Sequence, residues 1–190
     1  QVSLADHARD IKTLAESLNF SPFVLVGHSL GGAVGMQFAA LYPDLLTGMV
    51  LLDAAPVTGM KIADYSILQM MLDNQEILLA ALKATMAKPV DEQLWAGMAE
   101  DCLRAIPSVM PNTRALDGAD FSADARKFDK PVLVIHGELD RVVPLPEAEN
   151  TAVTYPNAKL VVLKGAGHSP QIDDQEGFIN HLREFMNRLS

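Results

Sequence analysis

Residues 23–33 read Phe-Val-Leu-Val-Gly-His-Ser-Leu-Gly-Gly-Ala, an apolar run that meets Gly-x-Ser-x-Gly and passes at once into a segment with helical spacing through Tyr42. Such a run specifies a buried strand, a tight turn and a helix, in that order. Gly27 and Gly31 carry no side chain to block the turn, so the backbone can fold sharply and lift the Ser29 hydroxyl clear of the strand end. At the head of a helix, free N–H groups and the helix dipole favour negative charge, as a nucleophile and a developing oxyanion require. This arrangement suits attack on a carbonyl carbon.

The remaining chain alternates strand and helix signals around that turn. Ser3 with Asp6 three positions on makes a helix start, and Leu4, Ala8, Ile11, Ala15 and Leu18 recur along one face until Asn19 and Ser21-Pro22 end it. The helix after Ser29 stops at residues 42–44, and residues 49–53 form the next buried strand, with Asp53 at its C-terminal end. From 57 to 127 the pattern is helical: 65–72, 75–86, 91–106 and a looser piece at 121–128. Strands return at 131–137 and 160–163, a turn follows at 165–170, and Phe178, Leu182, Phe185 and Leu189 mark a closing amphipathic helix. Apolar strands alternating with helices predict an α/β fold with a mostly parallel sheet. Internal repeats and low-complexity tracts are absent from the sequence.

Three stretches resemble the α/β-hydrolase superfamily. Gly27-His28-Ser29-Leu30-Gly31-Gly32 is similar to its nucleophile elbow, Gly137-x-x-Asp140-x-Val142-Val143-Pro144 to the segment that carries the triad acid, and the 165–170 turn places His168 where the base belongs. The resemblance implies that Ser29, Asp140 and His168 are catalytic, that the Leu30 backbone N–H holds the oxyanion, and that no cofactor is needed. It further implies a hydrolase core over 1–56 and 128–190, with 57–127 a helical lid. About the first third of the usual fold, including the loop that supplies a second oxyanion donor, has no counterpart in this sequence. A fragment of a longer protein is therefore expected. The strand at 23–26, left without a partner on one side, is an edge that a second copy of the chain could cover. Asp53, at a strand end, is a second candidate for the acid.

The implied reaction is hydrolysis of a carboxylic ester, lactone or thioester through an acyl-enzyme. Relatives with the same triad also cleave carbon–carbon bonds, act as cofactor-free perhydrolases or transfer acyl groups. Serine at position 29 disfavours the relatives that use an aspartyl ester. A reading of another class is a non-catalytic binding or oligomerisation module of the same fold.

Composition narrows the partners. With 190 residues the chain suits one domain with an insertion, and no apolar run is long enough to span a bilayer. A net charge of −9, with Lys and Arg scattered, argues against nucleic acid and anionic membranes and for a small apolar substrate. Cys102 stands alone, so no internal disulfide forms, and a cytoplasmic location is expected. Met60, Met70, Met71, Met86, Met98 and Met110 can line an acyl pocket or fill a core, and His28 and Trp95 are the named pocket candidates. His136 is expected in the core, His7 and His181 in solvent, and Asp173 and Asp174 at the start of the last helix. No residues show metal-ligand spacing or a phosphate loop.

Overall fold

Helix α1 (Leu4–Ser17) begins with reciprocal capping: Ser3 Oγ accepts the Asp6 N–H at 3.1 Å, and the Asp6 carboxylate accepts the Ser3 N–H at 2.9 Å. This computed structural model describes residues 2–62 and 64–189. Strand β1 (Phe23–His28) leads into α2 (Leu30–Leu41), whose residues are apolar on almost every side. Such a helix must be buried, and Ala33, Met36 and Phe38 are almost wholly so. Strand β2 (Leu46–Leu52) begins three residues before the apolar run because Leu46 and Gly48 already pair with Phe23 and Val24 across an irregularity in register.

Strands β3 (Val132–Gly137) and β4 (Ala158–Leu163) complete a four-stranded, wholly parallel sheet in the order β1-β2-β3-β4. The α/β class and flanking helices expected from the sequence are thus present. Period-two alternation sorts the strand residues onto two cores. Met49, Leu51, Val132 and Val134 pack in the cluster that contains α2. Val50, Leu52, Leu133 and Ile135 pack in the cluster that contains Phe185 of the last helix. Consecutive strands each end at the same side of the sheet, so the loops after β1, β2, β3 and β4 converge there, which is where chemistry is placed in such sheets.

Between β2 and β3 lie α3 (Tyr65–Asp73), α4 (Gln75–Ala84), α5 (Glu92–Leu116) and the short α6 (Ser122–Ala125). Asp64, Asn74 and Asp91 cap the first three with side-chain oxygens. The sequence predicts an end near residue 106, yet α5 runs on through Pro107 and Pro111. Each proline removes a helical hydrogen bond at a local cost of about 3 kcal/mol. Anchoring of the far end prevails: Leu116 is buried and Asn112 bonds His7 of α1. Helix α7 (Leu145–Thr154), which follows β3, shows little apolar periodicity because only Ala148 and Thr151 are buried. After β4 come the four-residue α8 (Pro170–Asp173) and α9 (Gln175–Leu189). Among the described residues no helix is long and apolar enough to cross a membrane.

Candidate active site

Ser29 sits between β1 and α2 with φ 54° and ψ −121°, a strained backbone for a residue with a side chain. Surrounding hydrogen bonds hold it there. The Ser29 N–H donates to Leu52 O at 3.0 Å, and its carbonyl accepts from Gly32 N–H at 2.9 Å and Ala55 N–H at 3.0 Å. Glycine is required at position 27, where a Cβ would overlap the Gly31 carbonyl, and at position 32, where it would overlap Ala54. At Gly31 a Cβ meets nothing within 4 Å, which corrects the sequence reading: the close approach falls on Gly32, whose face packs on the end of β2. Leu30 is the first residue of α2, so its N–H has no partner within the helix.

Residues far apart in the chain converge on this serine. His168 Nε2 lies 2.9 Å from Ser29 Oγ, and its Nδ1 lies 2.8 Å from Asp140 Oδ2. The Asp140 side chain is fully enclosed, and its other oxygen accepts the N–H groups of Val142 at 2.7 Å and Val143 at 3.0 Å. Burial by itself raises the Asp140 pKa, but the His168 ring and those two N–H groups outweigh it and hold the carboxyl below its ordinary value. An anionic Asp140 fixes the ring with Nδ1 protonated, which leaves the Nε2 lone pair toward the serine hydroxyl.

Backbone packing sets where Asp140 and His168 stand. A Cβ on Gly137 would overlap Gly167 O, so the end of β3 and the His168 turn touch main chain to main chain. The Leu139 N–H donates to Ala166 O at 2.8 Å and the Glu138 N–H to Leu163 O at 3.0 Å. On its other side the turn is bound to the segment that follows α4, where the His168 N–H donates to Thr85 O at 2.9 Å. Asp173 completes that junction by accepting the N–H groups of Gly167 at 2.7 Å, Ala87 at 2.9 Å and Lys88 at 3.0 Å. The sequence reading placed Asp173 with Asp174 as a favourable charge at the start of the last helix. Asp173 is instead 5% exposed and spent on three backbone donors.

The other candidates occupy varied positions. Asp53 lies near Asp140 and His168, but Asp140, not Asp53, bonds His168 Nδ1. Asp53 Oδ1 accepts the Gly137 N–H at 2.9 Å. His136 is wholly buried, as expected, with Nε2 3.0 Å from Val143 O. His28 is half-buried, and its Nε2 lies 2.6 Å from the carbonyl oxygen of His168, so its ring supports the His168 turn; burial lowers its pKa. Trp95 on α5 takes Lys83 Nζ 5.1 Å over its ring, and among the described residues no hydrogen bond or ring contact joins it to Ser29, Asp140 or His168. His7 corrects the expectation of a solvated ring, whereas His181 keeps 32% of its side chain exposed and is enclosed only in part. His7 Nε2 lies 2.9 Å from Asn112 Oδ1, tying α1 to α5, and His181 Nδ1 is buried with Glu184 3.9 Å away.

Asp53, Asp140 and His168 bring one ligand-type atom each to within 4.8 Å of one another, a cluster no sequence spacing reveals. The Asp140–His168 hydrogen bond already occupies the facing atoms, so this donor set is closed on itself and does not fit a metal ion.

A family model described as alpha/beta hydrolase fold matches residues 1–175. A Pseudomonas syringae pv. syringae protein named "Putative carbamate hydrolase RutD" is 30% identical, with 97% of this chain and 75% of the relative aligned. Among solved structures, a bromoperoxidase from Bacillus anthracis superposes with TM-score 0.88 at 22% identity, covering 97% of this chain and 74% of that one. The esterase EaEST from Exiguobacterium antarcticum superposes with TM-score 0.86 at 18% identity, over 97% and 74%.

Proposed function

The chain belongs to the α/β-hydrolase fold family, and from that premise we propose that it is a serine hydrolase cleaving carboxylic esters through an acyl-enzyme. The observation that carries this reading is the His168 ring between Ser29 Oγ at 2.9 Å and Asp140 Oδ2 at 2.8 Å. In the first half-reaction Ser29 Oγ bonds to the ester carbonyl carbon while His168 Nε2 takes the hydroxyl proton. Asp140 stabilises the imidazolium, and the Leu30 N–H donates to the carbonyl oxygen as it becomes an oxyanion. Collapse breaks the bond to the alkoxy group, which leaves as an alcohol with the proton from His168. A water molecule then repeats the sequence on the acyl-serine, releasing the acid and restoring Ser29.

The helical segment 57–127 acts as a lid in this reading, and its methionines shape an apolar acyl site. Contact between residues 85–88 and the His168 turn supports the assignment, because it joins the lid to the base. A carbamate is the second substrate class, suggested by the name of the RutD relative, and its carbonyl suits the same attack.

A fluorophosphonate probe tests the reading directly, since it reacts with a serine activated by its base. The expected result is a labelled chain whose labelling rate falls by at least about 10³-fold in both Ser29→Ala and His168→Ala. Turnover of nitrophenyl esters, lactones and aryl carbamates then ranks the substrates. A folded chain that neither labels nor turns over any of them overturns the proposal and leaves the non-catalytic module.

A further inference from the structure

Asp53 is the most unusual side chain near the site. It ends β2 with φ 39°, is 1% exposed, and its Oδ2 has no hydrogen-bond partner among the described residues. Among the described residues its one backbone donor is the Gly137 N–H on Oδ1. The carboxyl of Asp140 approaches within 4.8 Å, and two enclosed carboxylates that close cannot both be ionised.

The donors decide which one carries the charge. Asp140 receives His168 Nδ1–H and two backbone N–H groups, whereas Asp53 receives one. The negative charge therefore resides on Asp140 and the proton on Asp53. His136 points to the same distribution. Its Nε2 faces Val143 O and so bears the hydrogen, leaving the Nδ1 lone pair 3.4 Å from Asp53 Oδ1. A lone pair set against an anionic carboxylate would be repelled, while a neutral carboxyl is tolerated. Burial, opposed by the Gly137 N–H and reinforced by the hydrogen bond and charge of Asp140 and the charge of Asp173, pushes Asp53 up to about 9. Burial also lowers the pKa of His136, which keeps that ring neutral.

We infer that Asp53 carries a proton at neutral pH and donates it from Oδ2 in a hydrogen bond to the Asp140 carboxylate, making Asp53 a positioning residue for the acid that orients His168. This inference rests on the serine-hydrolase reading for its effect on rate, but not for the proton itself. Asp140 is then held by backbone N–H groups from its own loop and by the hydroxyl of Asp53 from the end of β2. The groups that face Asp53 are Asp140, His136 and Gly137 from β3 and its loop, with His168 and Asp173 beyond.

Two arms test it on the full chain. In the infrared spectrum of protein with isotope-labelled aspartate at pH 7, a neutral-carboxyl C=O band is expected that disappears in Asp53→Asn. Absence of that band overturns the inference, and this arm needs no activity. In the kinetic arm, a nitrophenyl ester is the substrate and folding is checked by thermal melting. Asp53→Leu removes the donor, so kcat falls at least about tenfold with KM little moved, and the acid limb of kcat/KM shifts upward. Asp53→Asn can donate from its amide to Asp140 and accept from Gly137, so it restores most of kcat and leaves the acid limb in place. A downward shift of that limb by about half a unit or more in Asp53→Asn would mean that a negative charge had been removed, and overturns the neutral Asp53. Parent-like kinetics in a folded Asp53→Leu overturns the positioning role. Should that variant not fold, Asp53→Asn and the infrared band decide. Failure of the parent to react with esters or fluorophosphonate strikes the serine-hydrolase reading and leaves the infrared result standing.

Discussion

Ser29 holds a backbone conformation that glycine would adopt freely, and of the glycines around it Gly27 and Gly32 allow close packing while Gly31 faces open space. Substitution separates their roles. Gly27→Ala is expected to cost at least about 2 kcal/mol in urea denaturation, because its Cβ meets main chain that cannot yield. Gly31→Ala, where the Cβ meets open space, should remain within about 1 kcal/mol of the parent. Equal losses would show that the turn is not packed as described. Asp53 adds a pH signature of its own. Its folded pKa, about 9, lies above the ordinary 3.8, so between those values the native state binds a proton that the unfolded chain does not. Its contribution to stability is present below pH 3.8 and is lost as pH rises toward 9. The melting temperature of Asp53→Asn relative to the parent should therefore climb with pH across that window; a constant difference would contradict the raised pKa. Motif and order single out Ser29, Asp140 and His168, which converge in the fold, whereas nothing local points to the raised pKa of Asp53. It depends on burial and on residues about eighty positions away in the chain.

The His168 turn is an element held from outside. Asp173 binds Gly167, Ala87 and Lys88 at once, joining the His168 turn to the stretch after α4. Asp173→Ala strands three buried or half-buried N–H donors, and should cost about 3 kcal/mol and slow fluorophosphonate labelling by loosening His168. Unchanged labelling in a destabilised variant would show that the junction serves the fold alone. In α5 the balance runs the other way. Pro107 is exposed and removes a helical hydrogen bond, so Pro107→Ala is expected to stabilise the chain by about 1 kcal/mol or more in the same denaturation assay. Helix α5 also shows why its end was unreadable: prolines signal a stop locally, and only the docking of Leu116 and Asn112 on other elements carries the helix past them.

For the whole molecule, the open side of β1 is the prominent feature. Among the described residues β1 pairs only with β2, and Val26 is 45% exposed. A cleft of about 340 Å³ opens beside it, lined by Leu25, Val26, Leu30 and Val34 with His7 and Asn112. Unpaired strand backbone beside apolar side chains favours association, so this 190-residue chain should self-associate by light scattering, and Val26→Lys should reduce it. A monomer in both cases would remove the edge as a contact surface. Local pattern was enough to determine the parallel α/β class and the order of the strands along the chain, and to name Ser29, Asp140 and His168 as the candidates that the fold brings together, because apolar period, glycine spacing and chain order are written in neighbouring residues. Tertiary structure alone decided that Asp53 lies beside the Asp140–His168 pair, that Asp173 clasps the His168 turn, and that α5 outlasts its prolines. Each of those outcomes depends on the local dielectric and on hydrogen-bond donors brought from distant parts of the chain, which no window of sequence contains.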